Sequence, residues 1–304
     1  MSGTGRSIRD LLRVSSDGVT PVDLAAVDPR STPGLPDWRT TGDDPKGWAR
    51  TQVAAIGADL GRQQEMLFAS AKVDPAAARR VLVVLQAMDC GGKDGTIRRV
   101  AGAMDPLGLH IRSFGTPTEE ERSHHFLWRI RRALPAPGYV GVFNRSHYED
   151  VLIARVDSLV PESVWRGRYA EINEFEQELA ESGVTVIKVM LHISYEEQLE
   201  RLLKRLDESE KHWKYHPSDV AARAQWHDYQ AAYADALGRC GSAAAPWYLV
   251  PADRKWYRDW AVAQLLRETF ADLRLYYPAA DFDIEAERRR LTSGEPSRSV
   301  VGKR

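Results

Sequence analysis

Five strand-like runs, separated by segments with helical periodicity, constrain the fold of this chain more than any other feature. The first, "VLVVLQAM", is continuously apolar, rich in β-branched residues and of strand length. A strand that stays apolar at consecutive positions is buried on both faces, as strands of parallel sheets are. Strands that alternate with helices predict an α/β fold, in which a parallel sheet is covered by helices on both faces. The five runs span residues 81–88, 109–114, 139–143, 184–193 and 247–250.

Apolar residues at helical spacing place helices between and around these runs. Thr118 is expected to cap the second of these helices, and Gly183 to end the third. The predicted helices span residues 47–72, 118–134, 162–183, 195–208, 218–237 and 254–275.

The chain divides into three parts by composition. Residues 1–46 mix Pro, Gly, Asp and Ser with little periodicity and predict an irregular N-terminal arm. Residues 47–290 predict one domain, which begins with the helix 47–72 as an N-terminal helical extension. The tail 291–304 is rich in polar and small residues and predicts disorder.

Composition excludes several classes of protein. Of 304 residues, 43% are hydrophobic and 28% charged, which is typical of a soluble globular protein. The formal net charge of -1 provides no global field for nucleic acid or an anionic membrane. No apolar stretch approaches the roughly 20 residues of a membrane span, and the N-terminus lacks the apolar run of a signal peptide, so we expect a cytoplasmic protein. Two cysteines, Cys90 and Cys240, cannot build a disulfide framework or a Cys-based zinc site.

The segment "QAMDCGGKDG" (86–95) follows the first strand and opens a helix, which is where α/β sheets bind ligands. Its glycines let backbone N–H groups turn toward an anion, the helix N-terminus adds positive potential, and Lys93 can reach a terminal phosphate. We therefore predict a phosphate-binding loop. Its predicted phosphate or nucleotide contacts are Asp89, Cys90, Gly91, Gly92, Lys93, Asp94 and Gly95.

This loop departs from the usual pattern at two positions. Gly is expected where Ala87 stands, and Ser or Thr where Asp94 stands. Alanine is tolerated if its φ is negative. The missing hydroxyl normally ligates Mg²⁺, so a carboxylate is needed instead, and Asp89 is the candidate. The alternatives are that Asp89 is a turn or cap residue, that Asp94 is a favourable first-turn acid, and that Cys90 is either a reactive thiol of lowered pKa or a small filler.

A second cluster, "FNRSHYED", follows the third strand. Asn144 can coordinate through its carbonyl oxygen, and Arg145 offers a fork of donors to phosphoryl oxygens. Glu149 restores negative charge near the metal. We predict catalytic roles for all three and a metal-ligand role for Glu149. The alternative for Arg145 is a structural salt bridge to Glu149 or Asp150.

A third cluster predicts a mobile lid at about residues 200–220. Arg201, Lys204 and Arg205 share one helix face, and further cations follow at Lys211 and Lys214. Cations on such a segment can close over a polyanion. The alternative is a set of ordinary surface pairs, because acids stand four residues ahead of the first two cations.

Taken together, these residues resemble the polyphosphate kinase 2 family, and most closely its branch that acts on both AMP and ADP. The similar blocks cover residues 50 to 275 or so: "LQAMDCGGKDGTIRRV", "FLWR", "FNRSHYEDVLIARV", "INEFE", "LHISYEEQLERLLKRLDESEKHWKY", "WHDYQAAY" and "APWYLVPADRKWY". The resemblance implies a P-loop kinase-like core with a helical lid. It also implies phosphoryl transfer between inorganic polyphosphate and AMP or ADP in a cytoplasmic protein, with Mg²⁺ as the cofactor and Mn²⁺ as the alternative. We expect a homo-oligomer, a dimer or a tetramer, without nucleic-acid or membrane partners.

Carried over by position, the family's motifs fall on the residues already singled out. The P-loop acid and lysine fall on Asp89 and Lys93, and the second motif falls on Asn144 and Arg145 with Glu149 nearby. The basic lid that would hold polyphosphate falls on Arg201, Arg205, Lys211 and Lys214.

Two other functions are compatible with the same residues. An ATP-dependent kinase of a small metabolite would use the same loop and lid, although a hydroxyl acceptor would call for a general base. A P-loop module that binds nucleotides without catalysis is suggested by Ala87 and Asn144, where the usual pattern has Gly and Asp.

Overall fold

The computed structural model describes residues 6–76 and 78–293. Its single five-stranded sheet has the order β2-β3-β1-β4-β5, and every neighbouring pair is parallel. Each strand begins and ends within one residue of its predicted bounds, so the predicted α/β fold is confirmed. The strands are Arg80–Ala87 (β1), Leu109–Ser113 (β2), Val140–Asn144 (β3), Val184–His192 (β4) and Trp247–Pro251 (β5).

The central strands are buried on both faces. In β1 every residue after Arg80 is buried, and successive side chains point to opposite faces of a strand. Both faces of the sheet are therefore covered at β1. The chain leaves β1 toward β2 and later leaves β3 toward β4, on the other side of β1. The carboxyl end of β1 thus lies at the switch point of the sheet, where ligands of such folds bind.

Thirteen α-helices are present in the described ranges, and none is long and apolar enough to cross a membrane. The predicted N-terminal helical extension is α3, which packs against α12 through Trp48 and Trp260, with ring centroids 6.0 Å apart. The helices are Ile8–Leu12 (α1), Trp38–Thr41 (α2), Pro45–Val73 (α3), Lys93–Arg99 (α4), Glu119–Ser123 (α5), Trp128–Arg132 (α6), Ile153–Val156 (α7), Glu162–Glu181 (α8), Tyr195–Asp207 (α9), Ser218–Ala224 (α10), Trp226–Arg239 (α11), Lys255–Asp272 (α12) and Ile284–Ser293 (α13). Short 3-10 helices span Leu24–Ala26, Ala101–Ala103, Pro106–Gly108, His147–Asp150 and Ser209–Lys214.

Two predicted helices are each divided in the structure. The helix predicted over 118–134 begins with the expected capping box at Thr118 but is interrupted between α5 and α6. There the His125 Nδ1 accepts a hydrogen bond from the Leu127 backbone, and His124 stacks on Trp128. A side chain that bonds to nearby backbone offers the chain an alternative to the helix. The helix predicted over 218–237 is likewise divided, at Gln225 between α10 and α11.

The N-terminal arm lies along the outer edge of β5. Leu12 is buried, and Arg13 forms an isolated antiparallel bridge with Tyr248. The next residue, Val14, donates its backbone N–H to the carbonyl of Trp247 at 2.9 Å. Within the predicted disordered tail, residues 291–293 end α13, and the rest lies outside the described residues.

Candidate active site

The loop after β1 is shaped by two residues of positive φ. Cys90 has φ +64° and Gly92 φ +105°, whereas Ala87 ends β1 and is not in the left-handed region. Alanine is therefore tolerated at position 87, as predicted. The positive φ of Gly92 favours glycine there, and a Cβ at this position would also displace the nearby end of the Arg258 side chain.

Lys93 is the first residue of α4, and its side chain is buried under the loop. Its Nζ donates a hydrogen bond to the carbonyl of Ala87 at 2.8 Å and lies 3.5 Å from that of Met88. Burial, and then the charge of Arg145, lower the pKa of Lys93 to about 8. The ammonium thus lies in the hollow of the loop, where a phosphate would restore its full charge.

Arg145 bridges the two carboxylates that were predicted to bind the metal. Its Nη2 lies 2.8 Å from the Asp89 Oδ1, and its Nη1 lies 3.2 Å from the Glu149 Oε2. The Glu149 carboxylate is the largest influence that raises the pKa of Arg145. The alternative salt bridge with Glu149 is therefore formed, whereas Asp150 lies against Arg168 instead. Arg145 has φ +63°, so this strained position directly after β3 aims the guanidinium at both acids.

The two carboxylates beside the loop suit a Mg²⁺ ion whose remaining ligands are substrate phosphates and water. Mg²⁺ usually keeps several waters and binds one or two carboxylates together with substrate phosphates. Asp89 and Glu149 provide two hard oxygen ligands on either side of one guanidinium. Within residues 6–76 and 78–293, no group of three or more His, Cys, Asp or Glu side chains forms a complete metal site. The two acids thus fit an ion that phosphates help to hold, and their metal role remains a prediction.

Asp94 and Asn144 are hydrogen-bonded to each other rather than to the acid pair. The Asn144 Nδ2 donates to the Asp94 Oδ1 at 3.0 Å. The other oxygen of Asp94 lies 3.2 Å from the Nζ of Lys214, which belongs to the predicted lid. Asp94 therefore joins the first turn of α4 to β3 and to the lid.

Cys90 is a packed residue of the loop. Burial raises the pKa of its thiol to about 11, opposite to the lowered value that its place near a helix N-terminus had suggested. A thiol of raised pKa is a poor nucleophile at neutral pH, so the filler interpretation is the one that the structure supports.

Arg201 lies under the loop and not on the outer face of the lid. Its Nη1 donates to the carbonyl of Cys90 at 2.8 Å, and its Nη2 donates to the carbonyls of Ala252 and Asp253 at 2.6 and 3.0 Å. The ion pair with Glu197 is also formed, because the Arg201 Nε lies 2.7 Å from the Glu197 carboxylate, but both side chains are largely buried and the pair does not lie on the surface. Arg201 thus ties α9 and the end of β5 to the strained residue of the loop.

The other predicted lid cations lie over the mouth of the loop. Arg205 donates to the carbonyl of Lys214 at 2.8 Å and pairs with Asp219 at 3.2 Å, which fixes the turn between α9 and α10. Lys211 pairs with Glu208 near the surface. The predicted lid is therefore stabilised by contacts among its own residues, and Lys214 connects it to Asp94 on α4.

A buried ionic network supports the turn that carries Arg145 and Glu149. The side chains of Glu176 and Lys188 are fully buried and form an ion pair. Tyr148 donates to Glu176 at 2.9 Å and accepts from Lys188 at 2.8 Å. Removal of one partner from such a pair leaves an uncompensated buried charge, so the network holds this turn in one place.

The loop, the end of β3, the lid and the start of α12 enclose a cleft of about 760 Å³. Of the predicted site residues, all but Glu149 line it, and Glu149 lies behind Arg145. The lining contains eleven Lys or Arg residues and only four Asp residues. The cleft is therefore built for a strongly anionic ligand.

The model of a family described as "Polyphosphate kinase 2 (PPK2)" matches residues 53–274. The chain belongs to the polyphosphate kinase 2 family. The resemblance drawn from the sequence is thereby confirmed.

Two curated relatives and one solved structure are similar over most of this polyphosphate kinase 2 chain. The AMP/ADP-polyphosphate phosphotransferase of Meiothermus ruber is 45% identical over 243 residues, which cover 80% of this chain and 89% of the relative. The ADP-polyphosphate phosphotransferase of Rhodopseudomonas palustris is 42% identical over 241 residues, covering 75% and 80%. The crystal structure of Polyphosphate Kinase 2 from Arthrobacter aurescens TC1 is 46% identical and superposes with a TM-score of 0.88 over 96% of this chain and 99% of that one. The P-loop kinase-like fold is thus confirmed.

Four cations of this polyphosphate kinase 2 cleft were missed by the sequence analysis. Arg98 and Arg99 lie on α4, the helix that the predicted phosphate-binding loop opens, and this place was a usable signal. Lys255 and Arg258 stand at the start of α12, in a segment for which the sequence predicted only a helix. Only the fold brings this segment next to the loop.

Replacement of Arg201 by Ala is expected to destabilise this polyphosphate kinase 2 by about 3 kcal/mol, because three backbone carbonyls lose their buried donor. The midpoint of urea unfolding measures the change. Lys204→Ala is the matched control, since Lys204 lies on the same helix with its side chain 57% exposed. If Arg201→Ala is as stable as the control, this structural role is wrong and the predicted role of Arg201 as a lid cation is favoured.

Proposed function

We propose that this chain transfers phosphoryl groups between inorganic polyphosphate and AMP or ADP, forming ADP or ATP. The proposal rests on the cleft at the phosphate-binding loop. Its lining contains eleven Lys or Arg residues and four Asp residues. Such an excess suits two polyanionic substrates together. The printed name of the Meiothermus ruber relative, an AMP/ADP-polyphosphate phosphotransferase, supports the same pair of substrates.

Charge repulsion is the main barrier that this site has to lower. The acceptor is a phosphate oxygen that is already anionic, so the reaction needs no general base. Two chains of negative charge must nevertheless meet end to end. Lys93, in the hollow of the loop, and Arg145, at the end of β3, would neutralise phosphoryl oxygens, and the lid would hold donor and acceptor in line.

Mg²⁺ belongs to the proposal as the cofactor. Asp89 and Glu149 would hold it, with Arg145 released from one of them to phosphate. Such an ion would supply positive charge to offset the negative charge that develops on the phosphoryl group during transfer.

The acceptor nucleoside would lie on the side of the cleft that α7, α10 and α11 form. The uncharged lining residues of these segments include Ile153, Ala222, Gln225 and Tyr229. Aliphatic and aromatic side chains suit a base, and the amide of Gln225 can both donate and accept hydrogen bonds. The phosphates would then point from this side toward Lys93.

Incubation with AMP or ADP, long-chain polyphosphate and Mg²⁺ is expected to yield ADP and ATP, which chromatography can measure. A chain that uses ATP to phosphorylate a small metabolite, and makes no nucleotide from polyphosphate, would contradict the proposal. So would a chain that binds nucleotide tightly without any turnover.

The cellular setting and the assembly state are part of the same proposal. We expect the enzyme to act in the cytoplasm as a homo-oligomer, a dimer or a tetramer. Light scattering coupled to size-exclusion chromatography measures the number of subunits, and a monomeric mass at assay concentrations would contradict the second expectation.

A further inference from the structure

The side chain of Gln198 lies between the phosphate-binding loop and the helices beside the predicted lid. Gln198 is on α9, where it forms the buried face of the helix together with Arg201 and Leu202. Only 1% of this residue is exposed. Burial of a carboxamide is unfavourable unless its oxygen and its nitrogen both have hydrogen-bond partners. The partners of Gln198 therefore indicate why a polar side chain occupies this buried position.

Both ends of the Gln198 carboxamide are hydrogen-bonded. Its Nε2 donates to the backbone carbonyl of Asp89 at 3.1 Å, and its Oε1 accepts from the Nη1 of Arg223 at 3.1 Å. A backbone carbonyl can only accept and a guanidinium can only donate, so a single orientation of the amide satisfies both partners. Arg223 is itself fixed by Tyr195, because it donates to the Tyr195 carbonyl at 2.7 Å and lies over the Tyr195 ring.

The bond from Gln198 fixes the peptide group that joins Asp89 to Cys90. In a planar trans peptide the C=O and the N–H point in opposite directions, so the N–H of Cys90 is turned away from α9. Across residues 6–76 and 78–293, this N–H has no backbone acceptor. A free N–H of such a loop binds phosphate, whereas a carbonyl oxygen in its place would repel phosphate. The orientation of this peptide group therefore affects what the loop presents to an anion.

A second donor from α9 holds the next peptide group. The Nη1 of Arg201 donates to the carbonyl of Cys90 at 2.8 Å, and Cys90 has φ +64°. A residue other than glycine keeps such a φ only where the surrounding structure holds it. The same short stretch of backbone carries the Asp89 carboxylate, which lies 2.8 Å from Arg145. Two side chains of α9, Gln198 and Arg201, thus hold the backbone from which this carboxylate projects.

We propose that Gln198 is a positioning residue of phosphoryl transfer, which sets the orientation of the peptide group after Asp89 and thereby the direction of the Asp89 carboxylate. The inference rests on the proposed function, because its rate measurement is nucleotide phosphorylation. Gln198 does not line the cleft but a small cavity of about 40 Å³ that Asp89 and Arg145 also line. It acts on the reaction through the loop, and Arg223 of α10 acts through Gln198.

The test changes the carboxamide at nearly constant size. Gln198→Glu keeps an acceptor for Arg223 but has no N–H for the carbonyl of Asp89, and Gln198→Met removes both bonds. Each variant is expected to lower kcat for ADP phosphorylation roughly ten- to a hundredfold, because loss of the donor to a buried acceptor changes an equilibrium constant by about that factor. KM for ADP and for polyphosphate should change by less than about threefold, because the cations that line the cleft are unaltered.

Gln177→Glu is the matched control, since it makes the same chemical change on an exposed position of α8. Its kcat should stay at the wild-type value. Arg223→Met should lower kcat by a smaller factor than Gln198→Met, and the double variant should be no slower than Gln198→Met alone. Three results would overturn the proposal: a kcat of the Gln198 variants equal to that of the control, a loss that appears only in KM, or a double variant whose loss is the product of the two single losses.

Hydrogen exchange tests the same inference without turnover. In the substrate-free protein, the backbone amides of residues 88–93 should exchange roughly tenfold faster in Gln198→Met than in Gln177→Glu, because the loop loses one of the two side chains by which α9 holds it. Equal exchange in the two proteins would refute the placement of the loop by Gln198. A wild-type chain that makes no nucleotide from polyphosphate would refute the proposed function, whereas faster exchange in Gln198→Met would still support this placement.

Discussion

Replacement of Lys93 by Ala is expected to lower kcat for nucleotide phosphorylation about a thousandfold. The effect is large because the ammonium is buried in the hollow of the loop, 2.8 Å from the carbonyl of Ala87, where a phosphate would bind. Removal of one preorganised charge-stabilising donor commonly costs a factor of this size. Initial rates with saturating polyphosphate and ADP measure it. Lys72→Ala, on the surface of α3, is the control. If the kcat of Lys93→Ala lies within tenfold of the kcat of this control, Lys93 has no major role in the mechanism.

The same lysine predicts the direction of a pH effect. Its pKa is lowered to about 8, so the free enzyme loses this positive charge as the pH rises through that value. Polyphosphate binds the protonated form, and kcat/KM should therefore fall above pH 8. Lys93→Arg keeps its charge at every pH of the assay, so its profile should lack the fall. If kcat/KM falls equally above pH 8 in the wild type and in Lys93→Arg, a group other than Lys93 causes the fall.

Replacement of Asp89 by Asn is expected to lower kcat by about a hundred- to a thousandfold and to raise the Mg²⁺ concentration needed for half-maximal rate. Asn keeps the shape of Asp89 but removes the charge that would bind the metal and that now holds Arg145 at 2.8 Å. Rates measured across a Mg²⁺ titration separate the two effects.

Asp228→Asn provides the comparison for this change, because Asp228 is exposed on α11 and does not line the cleft. A variant of Asp89 that keeps near-normal activity and the same Mg²⁺ dependence as Asp228→Asn would refute the metal assignment. A loss of rate with unchanged Mg²⁺ dependence would instead indicate that Asp89 acts by positioning Arg145.

Local sequence patterns were sufficient for the sheet because strands buried on both faces are apolar at nearly every position. The run 81–88 is apolar except at Gln86, whose side chain donates a hydrogen bond to Ser146, and β1 lies within one residue of this run. Helix continuity was harder to predict, because the break after Ser123 depends on a hydrogen bond from the Leu127 backbone to His125. Amphipathic spacing alone carries no signal of such a side-chain contact with the backbone.

The site was predictable where its functional residues lie together in one segment, as they do in the loop around Lys93. The role of Arg201 was not predictable, because Cys90, whose carbonyl it contacts, is 111 residues away in sequence. The fit between Gly92 and Arg258 depends likewise on two distant segments that pack at atomic distance. Sequence spacing places a cation on a helix face, but only the fold shows whether that face meets solvent or backbone.

The two outer strands of the sheet are shielded in different ways. An outer strand exposes unpaired backbone groups that can recruit another chain and start aggregation. In β2 every residue after Leu109 is exposed, and charge at Arg112 discourages such pairing. β5 is apolar and buried, and Arg13 and Val14 cover its flank. The arm therefore occupies part of the backbone edge that β5 would otherwise leave open to another chain.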